Sequence, residues 1–160
     1  MIPDDPRAMV RSTELTRFRL APNPGPMSLH GTNSYVIAAP GAAGTVVVDP
    51  GPLDEPHLQE LAEAGAVELI LITHRHADHT AAAARFAELT GAPVRAKDPA
   101  HCHGGKPLVD GEIIHAAGAE KVGDNSAAIA EGGIQHPRGG HGPVFQRLQV
   151  HAHPARRASG

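Results

Sequence analysis

Four side chains able to bind a metal ion are crowded into six residues of this chain. His74, His76, Asp78 and His79 follow an apolar run at 67–72, and imidazole and carboxylate groups are the ligands that a borderline-soft divalent ion such as zinc prefers. His74 and His76 are two residues apart, so both project to the same side of an extended chain. We therefore predict a metal site with zinc as the expected ion, although a His/Asp ligand set leaves iron and manganese open.

Interpretations without a bound metal apply to several His, Cys and Asp residues of this chain. Asp78 could serve only as the N-cap of the next helix, in a polar loop that binds nothing. The cluster of His101, Cys102 and His103 resembles a second metal site, but adjacent residues on an extended loop point in different directions, so we expect a plain loop there. Asp49 is expected to form a turn after a strand or to orient a ligand histidine from behind.

Alternating strands and helices are predicted to position the motif. The strands are predicted from β-rich runs joined by Pro/Gly turns, and the helices from helical runs with cap signals. Their order along the chain is strand 17–20, strand 33–38, strand 45–49, helix from Asp54 to Gly65, strand 67–72, helix 80–90 and strand 93–96. Segment 108–114 suggests a hairpin around Asp110-Gly111. This alternation predicts an α/β fold with the motif at the carboxyl end of a strand, where open α/β sheets place ligand sites.

Composition and charge limit the remaining choices. A chain of 160 residues has room for one domain, and because aromatic residues make up only 2%, its core must be built from Val, Ile, Leu and Ala. All 17 acidic residues lie within 1–131, whereas 132–160 hold four Arg and no acid. The acidic body argues against a broad nucleic-acid footprint, although a local basic channel stays open.

Compartment and membrane contact are also predicted from the sequence. The single cysteine, Cys102, excludes an internal disulfide and fits a reducing compartment. The first residues have no basic and apolar signal pattern, and no run approaches the length of a membrane span. We therefore expect a cytoplasmic protein without a membrane partner.

Three segments carry a resemblance to a known family. The segments 31–37 (Gly-Thr-Asn-Ser-Tyr-Val-Ile), 46–52 (Val-Val-Val-Asp-Pro-Gly-Pro) and 73–80 (Thr-His-Arg-His-Ala-Asp-His-Thr) resemble the metallo-β-lactamase superfamily, specifically its thioesterase-like and endoribonuclease-like branch. The resemblance covers roughly 17–122. It implies an α/β fold of the αβ/βα sandwich type, of which this chain holds the first half, followed by an irregular C-terminal tail.

The resemblance also implies site roles. His74 and His76 would bind a first metal ion, Asp78 and His79 a second, and Asp78 would also steer the attacking water as a catalytic residue. Two zinc ions are implied for an intact site, and one or none if ligands are missing here. The implied reaction is attack of a metal-activated water on a thioester, ester or phosphodiester.

Later ligands of the family have no clear counterpart. No Pro-Gly-His occurs after Val122, and Asp124 lacks a preceding apolar strand, so we assign it no bridging role. We divide the chain into a leader at 1–16, a metallo-β-lactamase-like domain at 17–122 and an atypical tail at 123–160. The tail is expected to be disordered or the product of a frameshift.

Two functions follow from these patterns. The first is a metal-dependent hydrolase acting on a small-molecule or nucleotide-type substrate. The second is a truncated, non-catalytic metal-binding remnant of such an enzyme. Since half a sandwich leaves a sheet face and a strand edge exposed, we also expect a homo-oligomer that covers them.

Overall fold

A mixed six-stranded sheet forms the main body of the described chain. The computed structural model describes residues 8–26, 29–73, 75–109, 112–117, 119–124 and 147–152, the last two ranges as backbone strands. The strands are β1 (Val10–Arg11), β2 (Thr16–Leu20), β3 (Asn33–Ile37), β4 (Gly44–Val48), β5 (Ala66–Leu71), β6 (Val94–Arg95), β7 (Ile113–Ala116), β8 (Ala119–Asp124) and β9 (Arg147–Ala152), and the helices are α1 (Glu55–Glu63), α2 (Ala77–Thr80) and α3 (Ala83–Thr90).

The order of the large sheet is β1-β2-β3-β4-β5-β6. Its first four strands pair antiparallel, and β4, β5 and β6 pair in parallel. Helices make the parallel crossovers, α1 between β4 and β5, and α2 with α3 between β5 and β6. Every residue of β4 is buried, as expected for a central strand rich in β-branched residues and covered on both faces.

The helices begin and end where local chemistry allows. The side chain of Asp54 caps α1 by accepting a hydrogen bond from the backbone N–H of His57 at 2.9 Å. A single helix was predicted over 80–90, but α2 begins three residues earlier, at Ala77, and the helix is interrupted before α3. The interruption has a tertiary cause, since the backbone N–H of Ala82 donates to the carbonyl of Gly51 at 3.0 Å. Gly91 ends α3 in the left-handed conformation, with φ of 73°.

Two apolar clusters pack on the two faces of the large sheet. The cluster on the helix side joins strand residues to α1 and α3, with Val36, Val47, Leu58, Leu61, Ile70 and Phe86 among its fully buried members. The cluster on the other side joins Tyr35, Ile37, Val46, Val48, Leu69 and Leu71 to Ile114 and Ala117 of the second sheet. The fold is therefore layered as helix, sheet and sheet.

A second, smaller sheet follows the large one. Asp110 and Gly111, the centre of the hairpin predicted over 108–114, lie outside the described residues; beside them, the backbone N–H of Glu112 donates to the carbonyl of Val109 at 3.1 Å. β7 pairs antiparallel with β8 after a turn at Ala117, where φ is 51°. β9 pairs with β8 to give the order β7-β8-β9.

The predicted segment boundaries can be compared with these elements. β1 lies within the predicted leader 1–16, and β8 runs two residues past the predicted boundary at Val122. β9 lies within 123–160, and the rest of that segment after Asp124 is outside the described residues. Among the described residues, no helix is long and apolar enough to cross a membrane.

Candidate metal centre

Three chain segments meet at one edge of the large sheet. β4 and β5 are parallel, with Val48 opposite Leu71, so their carboxyl ends lie side by side. β3 is antiparallel to β4, with Tyr35 opposite Val48, so the beginning of β3 lies at the same edge. This topology brings Thr32, Asp49 and the segment from Thr73 together although they are far apart in the sequence.

Asp49 is the buried acceptor at this edge. Its Oδ1 accepts from the backbone N–H of Thr73 at 2.8 Å, and its Oδ2 accepts from Thr73 Oγ1 at 2.5 Å and from His79 Nδ1 at 2.8 Å. The residue is 2% exposed and has φ of 54°, a conformation that Asp tolerates better than most residues. The predicted orienting role of Asp49 toward a motif histidine matches this geometry.

The contact with Asp49 determines which nitrogen of His79 carries the proton. Because the carboxylate accepts from Nδ1, the neutral imidazole of His79 has its lone pair on Nε2. Nε2 lies 3.2 Å from Oδ2 of Asp78. A ring nitrogen and a carboxylate oxygen therefore converge, and this donor pair suits a divalent ion of the zinc type.

Asp49 and His79 are both buried, and each stabilises the charged form of the other. Burial alone would raise the pKa of Asp49, but the charge and hydrogen bond of His79 and the hydrogen bonds from Thr73 outweigh it, so the pKa is lowered. Burial alone would lower the pKa of His79, but the charge and hydrogen bond of Asp49, with a smaller influence of Asp78, raise it. In the absence of a metal ion, His79 can thus bind a second proton at Nε2, the nitrogen that is otherwise free to bind the metal.

Asp78 is held from its other side by a hydroxyl group. Thr32 Oγ1 donates to Asp78 Oδ2 at 2.8 Å. The Asn23 side chain holds Thr32 in turn, because its Oδ1 accepts from the Thr32 backbone N–H at 2.9 Å and its Nδ2 donates to Thr32 Oγ1 at 3.0 Å. Thr32 is 3% exposed, so this chain of contacts reaches Asp78 from inside the protein.

The four predicted ligands are placed differently. Asp78 and His79 are brought together as described, and His74 lies outside the described residues. His76 is the exposed N-cap residue of α2, and its carbonyl accepts from the backbone N–H groups of His79 and Thr80. Across the described part of the chain, no group of three or more His, Cys, Asp or Glu side chains is arranged to hold a metal. Of the four predicted ligands, Asp78 and His79 thus lie close enough together to bind the same divalent ion.

Segment 101–103 is held in place by contacts with the backbone of Val94 and Ala96. The backbone N–H of His103 donates to the carbonyl of Val94 at 3.0 Å, and Cys102 Sγ lies 3.4 Å from the backbone nitrogen and oxygen of Ala96. His101 ends a short 3₁₀ helix, Pro99–His101. Within this described segment, no group of three or more His, Cys, Asp or Glu side chains is arranged to hold a metal.

A second buried polar cluster lies next to the candidate metal centre. His57, fully buried on α1, contacts the Arg19 guanidinium through Nδ1 and the Ser34 hydroxyl through Nε2, the latter at 2.9 Å. Burial, reinforced by the adjacent charge of Arg19, lowers the pKa of His57 to about 4, so the ring is neutral at pH 7. A Cβ placed on Gly51 would lie 3.5 Å from Ser34 Oγ and 3.7 Å from the carbonyl of Asp78.

Sequence reasoning missed Thr32 and Asn23. Thr32 belongs to the segment 31–37 that carried the family resemblance, but nothing local indicates that its hydroxyl meets Asp78 across 46 positions. Asn23 lies in a Pro-rich loop that was given no role. The sequence signal was the glycine at position 31, next to Thr32. In the structure Gly31 has φ of 142°, and a Cβ there would lie 2.1 Å from the Ala21 carbonyl oxygen.

Comparison with known proteins gives the lineage. The profile of the family described as the metallo-beta-lactamase superfamily matches residues 27–158, which includes most of the predicted tail. The atrochrysone carboxyl ACP thioesterase of Aspergillus fumigatus is 33% identical over 130 residues, covering 74% of this chain and 39% of that protein. A metal-dependent hydrolase of Cupriavidus necator is 34% identical over 100 residues, covering 60% of this chain and 33% of the relative.

Solved structures give the same answer for the fold. A subclass B3 metallo-β-lactamase from a soil metagenome library superposes with a TM-score of 0.62 at 17% identity, covering 96% of this chain and 61% of that one. A class B3 di-zinc metallo-β-lactamase from an Alaskan soil metagenome gives 0.59 at 16% identity, covering 93% and 59%. The chain thus spans 61% and 59% of these two proteins, which fits the N-terminal half of an αβ/βα fold. With the family profile matching most of its length, this chain belongs to the metallo-β-lactamase superfamily.

Proposed function

We propose that this protein is a metal-dependent hydrolase that uses a metal-activated water to cleave a thioester, ester or phosphodiester in a small-molecule or nucleotide-type substrate. The observation that carries the proposal is the Asp49 to His79 hydrogen bond, which leaves Nε2 facing the carboxylate of Asp78. The two relatives are a thioesterase and a metal-dependent hydrolase by name, which supports the same reaction class.

In the proposed site, His74 and His76 would hold one divalent ion, and Asp78 and His79 would hold a second. Such an ion, when bound, lowers the pKa of a water toward about 7 and polarises the group under attack. Asp49 keeps the His79 proton on Nδ1, so that Nε2 is available as a ligand. Asp78 is 27% exposed at its side chain, so it can also accept a hydrogen bond from a water at the site and orient it.

The second candidate is a non-catalytic metal-binding remnant. One observation favours it: among the described residues, Asp78 and His79 are the two predicted ligands that lie together, and no group of three or more His, Cys, Asp or Glu side chains is arranged to hold a metal. A remnant of this kind would bind a metal ion through the same motif and would turn over no substrate.

Metal binding and hydrolysis measured together separate these candidates. The purified full chain is freed of metal with a chelator, reloaded with zinc, and assayed on a chromogenic thioester, an ester and a phosphodiester. The variants are His76→Ala and Asp78→Asn, and His103→Ala is the matched control because it removes an exposed histidine outside the motif.

The hydrolase proposal predicts that zinc restores turnover of at least one substrate class and that the two motif variants lose zinc and turnover together. Zinc binding without turnover in any class would favour the remnant. A protein that binds no zinc, or whose activity survives in the motif variants and falls in His103→Ala, would refute both candidates.

A further inference from the structure

We infer that Asn23 and Thr32 are positioning residues that hold the Asp78 carboxylate in the orientation in which it binds a divalent ion. The inference rests on the proposed function, since it assigns a task to two residues at the same metal site. Neither residue carries a charge and neither is itself one of the four predicted ligands.

The direction of each hydrogen bond in this chain follows from the donors and acceptors available. Asn23 Oδ1 must accept from the Thr32 backbone N–H, so the amide nitrogen of Asn23 faces Thr32 Oγ1. An amide nitrogen only donates, which makes the Thr32 oxygen an acceptor on that side. The hydroxyl hydrogen of Thr32 is therefore directed to Asp78 Oδ2, 2.8 Å away.

The carboxylate of Asp78 needs such a partner. Rotation about χ2 of an aspartate has no sharp preference, and the side chain is 27% exposed, so water could compete for its oxygens. The Thr32 hydroxyl fixes one oxygen on the same side as His79 Nε2, which lies 3.2 Å from it. A fixed carboxylate loses less conformational entropy when it binds a cation.

Asn23 and Thr32 are themselves anchored by the backbone. The backbone N–H of Ala21 donates to the Thr32 carbonyl and the backbone N–H of Asn23 donates to the Ala21 carbonyl, both at 2.9 Å. Gly31 allows this close approach of the two chain segments, because a Cβ there would overlap the Ala21 carbonyl oxygen. The two side chains that support Asp78 therefore extend from backbone segments that are hydrogen-bonded to each other.

The test is the zinc affinity of the metal-free full chain, measured with zinc alone in competition with a chromophoric chelator. Thr32→Val keeps the shape and removes the hydroxyl, Thr32→Ser keeps the hydroxyl, and Asn23→Ala removes the group that directs it. Thr45→Val is the matched control. Thr45 is also 3% exposed, and its hydroxyl has no hydrogen-bond partner among the residues that the structure describes.

We expect Thr32→Val to weaken zinc binding by about 10–100-fold, the usual effect of removing a partner behind a metal ligand. Asn23→Ala should weaken it in the same direction, whereas Thr32→Ser and Thr45→Val should bind as the wild type does. Equal affinity in Thr32→Val, Asn23→Ala and Thr45→Val would overturn the inference while leaving the proposed function standing. A wild-type chain that binds no zinc would instead overturn both. If Thr32→Val is too unstable to measure, the Asn23→Ala result decides, since Asn23 is only half-buried.

Discussion

Replacing Asp49 by Asn should remove the ability of His79 Nε2 to bind a metal ion without changing the shape of the site. The carboxylate accepts three hydrogen bonds, two from Thr73 and one from His79 Nδ1. An asparagine offers one oxygen and one amide group that only donates. If its oxygen stays on the Thr73 backbone N–H, the amide group faces His79 Nδ1, and the imidazole must move its proton to Nε2 to avoid opposing donors.

That tautomer removes the ligand lone pair of His79. We expect zinc affinity to fall by about 10–100-fold, equivalent to roughly 1.4–2.7 kcal/mol. In the opposite orientation, the amide NH2 group of the asparagine would face the backbone N–H of Thr73, and both groups are donors. In either orientation the metal-free variant should therefore lose about 1.5–3 kcal/mol of unfolding free energy, the usual contribution of a hydrogen bond to a charged group.

Two assays check this prediction. Zinc titration of the metal-free chain gives the affinity, and nitrogen-15 NMR of the histidine rings shows which nitrogen of His79 carries the proton. Asp98→Asn is the matched control, because Asp98 is exposed and caps a short 3₁₀ helix, where Asn serves equally well. If Asp49→Asn bound zinc as tightly as the wild type while His79 kept its Nδ1 proton, the orienting role assigned to Asp49 would be wrong.

Three further predictions concern the stability that supports the site. The pKa of His57 is lowered to about 4 in the folded protein, so the unfolded chain takes up its proton first as pH falls below the ordinary value of 6.5. Stability should therefore drop by about 2 kcal/mol between pH 7.5 and pH 5, and the difference in urea unfolding between wild type and His57→Gln isolates this effect; equal pH slopes would contradict it. Gly31→Ala places a Cβ 2.1 Å from the Ala21 carbonyl oxygen at φ of 142°, so it should destabilise the fold by at least about 1 kcal/mol in thermal unfolding, and an unchanged midpoint would count against the close approach. Asp54→Ala removes the cap of α1 and should cost about 1 kcal/mol in urea unfolding, whereas Asp54→Asn should preserve stability.

The strands that build the site were predictable because they are short apolar runs rich in β-branched residues, and Pro/Gly turns bound several of them. The runs predicted at 33–38, 45–49 and 67–72 match β3, β4 and β5 to within one residue at each end. The break between α2 and α3 was not predictable. An Ala-rich segment favours helix throughout, and only the contact between Ala82 and the distant Gly51 interrupts it.

The same limit explains what was missed at the site. The spacing in the motif was sufficient to select Asp78 and His79, and the turn after β4 drew attention to Asp49. Thr32 could be connected to Asp78 only through the sheet register, which places the beginning of β3 beside the end of β4.

We propose that the motif at 74–79 holds a divalent ion through His79 Nε2 and the Asp78 carboxylate. Elemental analysis of the full-length chain after dialysis against zinc, with His79→Ala measured beside it, tests this most directly. We expect at least one tightly bound zinc per wild-type chain and a clear loss of bound zinc in His79→Ala. A wild-type chain without zinc, or one whose zinc content His79→Ala leaves unchanged, would contradict it.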